Sequence, residues 1–258
     1  MWMVVLGVIN LILLIIGLKI FFPKDFFKEK NIQLLNKIKI NFPYILIIAG
    51  VVGFHLLEVN LIDPHITSWV GYDFANTLQS LEGDTVYWFS QNWNTVLVYF
   101  FVIIYIAVYP FTLWFSPLYF LLNNHKKAMK TLAYGLLLIY LIALPFYLFL
   151  PITNVYTFYN AGSALENVIP GIEQFFYSTT TMNNCLPSLH TAMTILVAYS
   201  VSLTGNKKFT YFSYFVMITV IISVIYLSIH WLTDVITGAI LSAGVIFILK
   251  KTMVDKEK

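Results

Sequence analysis

Long apolar stretches recur along the chain, separated by shorter polar segments. A bilayer core of roughly 30 Å is crossed by about 20 helical residues. Runs that meet this need lie at about 2–22, 42–59, 94–122, 131–150, 188–204, 209–229 and 231–249. The third contains Pro110 and Pro117, which predicts a tilt or kink. In the intervening segments 60–93 and 151–187, Val70, Phe74 and Leu78 recur at i+4 spacing, as do Val168, Ile172 and Phe176. Each set predicts an amphipathic helix on the bilayer surface. The pattern as a whole predicts an all-α polytopic membrane protein with about seven transmembrane helices and short interfacial helices on one side.

Composition excludes the soluble alternative. Of 258 residues, 59% are hydrophobic and 10% charged, with a mean hydropathy of +0.80, too few charges to coat a globule of this size. Aromatic residues make up 17%, as suits a protein edged by aromatic belts. The stretch from Trp2 to Phe22 lacks a preceding positive charge and a small-residue cleavage site, so it reads as a retained anchor. The single cysteine, Cys185, excludes an intrachain disulfide. No repeat or low-complexity linker divides the chain. Residues 1–41 read as a transmembrane anchor followed by a Lys-rich linker, and 42–258 as one membrane-embedded domain. The expected surroundings are a lipid bilayer, with no nucleic-acid partner.

All fifteen basic residues are lysines, and they fall in four places: 19–39, 126–130, 207–208 and 250–258. With seven spans these are alternate segments on one side, which the positive-inside rule makes cytoplasmic. The N-terminus is then outside and the C-terminus cytoplasmic. The opposite, extracytoplasmic or lumenal face carries Asp63, Asp73, Glu82, Asp84, Glu166 and Glu173 and no lysine, so chemistry there has no cationic side chain except histidine.

Ionisable residues inside membrane segments are functional candidates by default, and two places hold them. Asn183-Asn184-Cys185-Leu186-Pro187-Ser188-Leu189-His190 enters the fifth span from outside, with Pro187 expected at the first helical position. A helix N-terminus offers free N–H groups to an anion, with Ser188 as a further donor. At the outer end of the last span, His230 and Asp234 stand at i and i+4, which on a helix places their Cβ atoms roughly 5 to 6 Å apart. The carboxylate can hold one imidazole nitrogen and leave the other free to attack. The Gly205-Asn206-Lys207-Lys208 turn brings the spans bearing His190 and His230 side by side, although the climb to His230 is about 10 Å longer than the descent from His190.

These residues resemble the phosphatidic acid phosphatase type 2 superfamily, which includes lipid phosphatases, vanadium haloperoxidases and the inositol phosphorylceramide and sphingomyelin synthases. Pro187-Ser188-Leu189-His190 matches its second motif, Pro-Ser-Gly-His, with Leu for Gly. Ser223, His230 and Asp234 match its third, Ser-Arg, five residues, His, three residues, Asp, with Val224 for Arg. The first motif, Lys, six residues, Arg-Pro, has no Lys or Arg on the outer side to supply it. The resemblance covers roughly residues 95–250. Its departures are most similar to the inositol phosphorylceramide synthase (aureobasidin-resistance) branch, which transfers phosphorylated head groups between lipids.

The resemblance implies a six-helix bundle plus the N-terminal helix, with His230 as nucleophile forming a phosphohistidine, Asp234 orienting it, and His190 protonating the departing oxygen. It implies phosphate binding by Ser188, Leu189 and the N–H groups of the fifth span, and no metal or other cofactor. By position, Asn154, Tyr156, Asn183, Asn184 and Tyr226 are the candidates to replace the missing cations. The implied substrate is a membrane lipid phosphate, resolved by water or an alcohol acceptor. A phosphotransferase on a diester best fits a site without arginine. A lipid phosphate phosphatase, a metal-dependent hydrolase or transporter built on His190, His230, Asp234 and an outer acid such as Asp63, and an inactive scaffold all stay open. His55, Glu58, Asp63 and His65 read as interfacial polar residues, and His125 as solvated among lysines.

Overall fold

The computed structural model describes residues 2–23, 26 and 34–254. Among these the regular structure is all helical apart from one isolated parallel bridge, Ile152 to Asn184. Helix α1 spans Trp2–Phe21, and α2 (Leu34–Leu57) continues through a π turn at Glu58–Ile62 into α3 (Asp63–Val70). Then follow the short helices α4 (Ala75–Glu82) and α5 (Tyr87–Gln91). Next, α6 (Thr95–Ile103) passes through a π turn at Ile104–Val108 into α7 (Tyr109–Leu122), and α8 spans Lys126–Phe149. The second outer segment holds α9 (Val155–Phe158), α10 (Ala164–Val168) and α11 (Ile172–Phe176). The chain closes with α12 (Leu189–Ser202), α13 (Lys207–Tyr226) and α14 (Leu232–Val254).

Six continuous helical runs are long and apolar enough to cross a membrane, and the 14-residue α12 is apolar but shorter. The protein is an all-α polytopic membrane protein. Its peripheral helices expose Val8, Leu11, Ile15, Leu46 and Val52, a surface that only lipid tails or a partner helix can cover.

Polar side chains start the helices where the apolar runs begin. Asn94 accepts from the N–H groups of Val96 and Leu97, Ser188 from Thr191, and Asn206 from Phe209, each satisfying an otherwise orphan donor. The prolines of the third run do not break it. Pro110 has no N–H to return to the preceding turn, and the helix absorbs this by inserting a residue, with the Tyr109 N–H reaching back to the Ile104 carbonyl.

The expected surface helices are different. Val70, Phe74 and Leu78 do not share a helix, because Gly71 takes φ +62° and ends α3. Val168, Ile172 and Phe176 are likewise split between α10 and α11 by Pro170 and Gly171, the latter at φ +84°. Left-handed backbone is cheap only for glycine, so each outer segment folds as short helices wrapped over the bundle.

The core runs through α7, α8, α12, α13 and α14, around Phe115, Leu132, Leu196, Val197, Phe209 and Val245. The Lys37 ammonium donates to the Leu122 carbonyl at 2.6 Å, and the Asn206 amide donates to the Phe21 carbonyl and the Tyr119 hydroxyl, both at 2.8 Å. Lys250 lies over the Tyr199 ring. The described lysine-bearing ends of α1, α2, α8, α13 and α14 therefore gather at one end of the bundle, with the C-terminal ends of α7 and α12. Lys24, Lys28, Lys30, Lys256 and Lys258 lie outside the described residues.

Candidate active site

The opposite end holds both sequence motifs. Helix α12 begins at Leu189, two residues later than expected: Ser188 is its cap, so Pro187 precedes the helix, and the Pro187 carbonyl accepts from the Tyr147 hydroxyl at 2.6 Å. Ser188 is fully buried and its side chain serves the cap, while Leu189 packs into the hydrophobic core.

The chain after α13 also departs from a simple helical climb. Ser228 takes φ +55°, and the N–H groups of Ile229 and His230 both return to the Val224 carbonyl. This doubling back removes the expected length mismatch and sets His230 level with the last turn of α13. Helix α14 starts only at Leu232, so His230 and Asp234 meet across a helix start rather than along a helix face. Asp234 Oδ2 accepts from the Trp231 N–H at 2.8 Å and lies 3.3 Å from His230 Nδ1.

The two imidazoles converge. His190 Nδ1 lies 3.2 Å from His230 Nε2, and His190 Nε2 lies 2.9 Å from the Tyr105 hydroxyl, which the π turn at Ile104–Val108 presents to it. The Ser188 N–H donates to the Asp234 carbonyl at 2.9 Å, coupling the two motifs through backbone. Gly238, one turn after Asp234, leaves room for the Ser188 carbonyl: a Cβ there would lie 2.5 Å from that oxygen. His230 is buried, and each of its ring nitrogens faces a partner, Nδ1 the Asp234 carboxylate and Nε2 the His190 ring. With Nδ1–H directed at Asp234, Nε2 is the nitrogen that keeps its lone pair on the cavity side.

A cavity lies over the pair, lined by Tyr105, Asn154, Tyr177, Thr180, Thr181, Asn184, Cys185 and both histidines. It holds about 20 Å³ of space, close to a single water, so a phosphoryl group enters only if the overlying 177–184 strap moves. That strap is tied down by backbone pairing of Ile152 and Asn154 with Asn183 and Met182, and by His55 Nε2 against the Thr179 carbonyl at 3.1 Å. Thr181 Oγ1 and Asn184 Oδ1 are buried without hydrogen-bond partners beside the cavity.

The remaining candidates separate. Asn154 and Asn184 line the cavity, whereas Asn183 faces a neighbouring outer pocket with Asp73, Thr67 and Ser68. Tyr156 bonds Glu173 and Tyr177, and the Tyr226 hydroxyl accepts from the Asn94 N–H at 2.8 Å. Glu58 is more than an interfacial residue. It is fully buried, paired with His55 at 3.4 Å, and accepts from Tyr140 and from the Asn184 amide, both at 3.2 Å.

Four contributors have no motif to announce them. Tyr105 is one of 17 tyrosines. Glu82 grips the N-terminus of α14, accepting from Leu232 at 2.8 Å and Thr233 at 2.6 Å. Thr180 and Thr181 belong to the hydroxyl run Ser178–Thr181, which in so apolar a chain, just before the second motif, was the available signal.

Cys185, His230 and Asp234 offer ligand atoms within 4.8 Å of one another, and Asp63 is not among them. This set suits a metal poorly: burial, then the Asp234 charge, pushes the Cys185 thiol well above its usual range, so it stays protonated. The His230 Nδ1 is engaged by Asp234.

A family model described as the PAP2 superfamily matches residues 79–248, about two-thirds of the chain. The protein belongs to the PAP2 superfamily. The match embraces α6–α13, both histidine motifs, Tyr105 and Glu82, and most of α14. Members of the PAP2 superfamily are generally phosphatases or phosphotransferases, and membership points to such activity on a lipid-like substrate. Neither the curated proteins nor the solved structures contain a match to this chain.

Proposed function

We propose that this PAP2 protein is an integral membrane lipid head-group phosphotransferase working through a phosphohistidine at His230. The carrying observation is the continuous chain Asp234–His230–His190, with His230 Nε2 facing His190 Nδ1 at 3.2 Å. A phosphoryl group inserted between those nitrogens meets a nucleophile on one side and a proton donor on the other. The P–O bond to the departing group breaks as the P–Nε2 bond forms, and the departing oxygen takes the His190 Nδ1 proton. An alcohol then attacks phosphorus, returns its proton to Nδ1 and breaks the P–N bond. General acid catalysis of this kind contributes about 10²–10⁴ in rate. In place of cations, the neutral donors Thr180, Thr181, Asn154 and Asn184 hold the phosphoryl oxygens.

Among the described residues, the absence of lysine and arginine from the site's end of the bundle favours a singly charged diester over a doubly charged monoester, and hence the inositol phosphorylceramide synthase branch over the phosphatases. With lysines at the other end, the positive-inside rule puts the site on the extracytoplasmic or lumenal face. The test incubates purified protein with phosphorus-labelled lipid phosphates, quenches, and seeks acid-labile label on His230 with and without an alcohol acceptor. Label lost to the alcohol supports the proposal. Strong preference for lipid monoesters and water makes the enzyme a phosphatase, and absence of label together with full activity of His230→Ala refutes the phosphohistidine.

A further inference from the structure

We propose that Tyr105 is the positioning residue that makes Nδ1 of His190 the proton-carrying atom on the substrate side; this rests on the phosphohistidine reading above. Asp234 accepts the Nδ1 proton of His230 and leaves Nε2 as an acceptor. The 3.2 Å contact therefore requires a proton on His190 Nδ1. In a neutral ring His190 Nε2 is then bare, and the Tyr105 hydroxyl at 2.9 Å donates to it. All donors point one way, from Tyr105 through both histidines to Asp234.

The hydroxyl serves the other protonation states equally well, because it both donates and accepts. When an anionic phosphoryl group draws His190 into the imidazolium form, both nitrogens carry protons and the Tyr105 oxygen turns to accept from Nε2. His190 then gives its Nδ1 proton to the departing oxygen and keeps the one on Nε2. Its Nδ1 lone pair is left facing the site, ready for the proton of the incoming alcohol. Tyr105 is 2% exposed, and its ring and that of Tyr109 lie 4.9 and 5.4 Å from the imidazole, so packing holds the hydroxyl against Nε2. No other partner is shown for His190 Nε2 among the described residues.

The experiment compares the wild type with Tyr105→Phe on two substrates: an alkyl lipid phosphate, whose alkoxide must be protonated to leave, and a p-nitrophenyl phosphate ester, whose phenolate leaves unaided. The expected result is a loss of about 10²-fold in kcat on the alkyl substrate, with less than threefold change on the aryl ester. Fluorotyrosine incorporated at position 105 keeps the hydroxyl and restores alkyl activity. Equal losses on both substrates, or no loss on either, overturn the assignment. Should Tyr105→Phe melt early, the fluorotyrosine protein decides: because fluorination makes the hydroxyl more acidic, a shifted pH profile of kcat on the alkyl substrate with an unshifted profile on the aryl ester supports the role, and unshifted profiles on both oppose it. Labelling of wild-type His230 by the aryl ester is the separate control, since its failure removes the phosphohistidine itself rather than the part given to Tyr105.

Discussion

Replacing Gly238 with alanine tests the idea that the distance between the motifs is set by backbone packing. The new Cβ would stand 2.5 Å from the Ser188 carbonyl and 3.2 Å from the Thr191 Cβ, where ordinary contact begins at 3.4 Å. The nearer obstacle is backbone, so the start of α12 and α14 must separate by about 0.9 Å, the difference between those two distances. His190 is two residues from Ser188 and His230 eight from Gly238, so the displacement falls on the 3.2 Å contact between the rings. A misplacement of about 1 Å costs on the order of 10²-fold in rate. Intrinsic helix propensity acts the other way, favouring alanine by about 1 kcal/mol, so lost turnover cannot be charged to a weaker helix. The assay is turnover of a lipid phosphate in proteoliposomes, with a melting curve on the same sample. Gly244→Ala on the same helix, where a Cβ meets nothing within 4 Å, is the control and keeps wild-type turnover. If Gly238→Ala retains more than half of it, the packing argument is wrong.

Four further outcomes are expected. Glu82→Ala removes both acceptors from the first turn of α14 and lowers stability by about 1 to 2 kcal/mol with a roughly tenfold loss of kcat; Glu82→Gln, which keeps one oxygen, falls between, as read by thermal melting and initial rates. Activity survives EDTA and is blocked by orthovanadate, whereas loss of activity to EDTA restored by a divalent cation would favour the metal reading. In a Cys185→Ser background, Thr85→Cys labels with an impermeant maleimide on intact cells and Lys208→Cys only after permeabilisation; the reverse pattern overturns the orientation. Cys185, buried and held as a thiol, reacts far more slowly with maleimide in the folded protein than in SDS, and equal rates would show that the strap is open at rest.

The apolar runs were legible because lipid-facing and core-facing positions are both hydrophobic, so each transmembrane rod announces itself by length alone. His190, His230 and Asp234 were legible because charge and imidazole are rare in such rods. The lost parts depend on geometry that composition does not encode. The Tyr105 contact with His190 spans 85 residues and depends on an inserted π residue, and that of Glu82 with α14 spans about 150. The i+4 spacing in the outer segments misled because Gly71 and Gly171 interrupt the backbone while leaving the hydrophobic period intact. Glu58 looked interfacial because it sits near a span's end; its link to Asn184 follows from the strap folding back over α2.

Helix α12 has a further consequence. Its fourteen residues rise about 21 Å, about 9 Å less than a typical hydrocarbon core, so for the function proposed above the expected seat of the phosphorus is a well sunk below the plane of the surrounding head groups. A lipid substrate is then expected to reach it by local thinning of the leaflet or by drawing its own head inward. On that reading acyl-chain length in the host membrane is a control on catalysis: turnover rises in thin membranes and falls in thick ones.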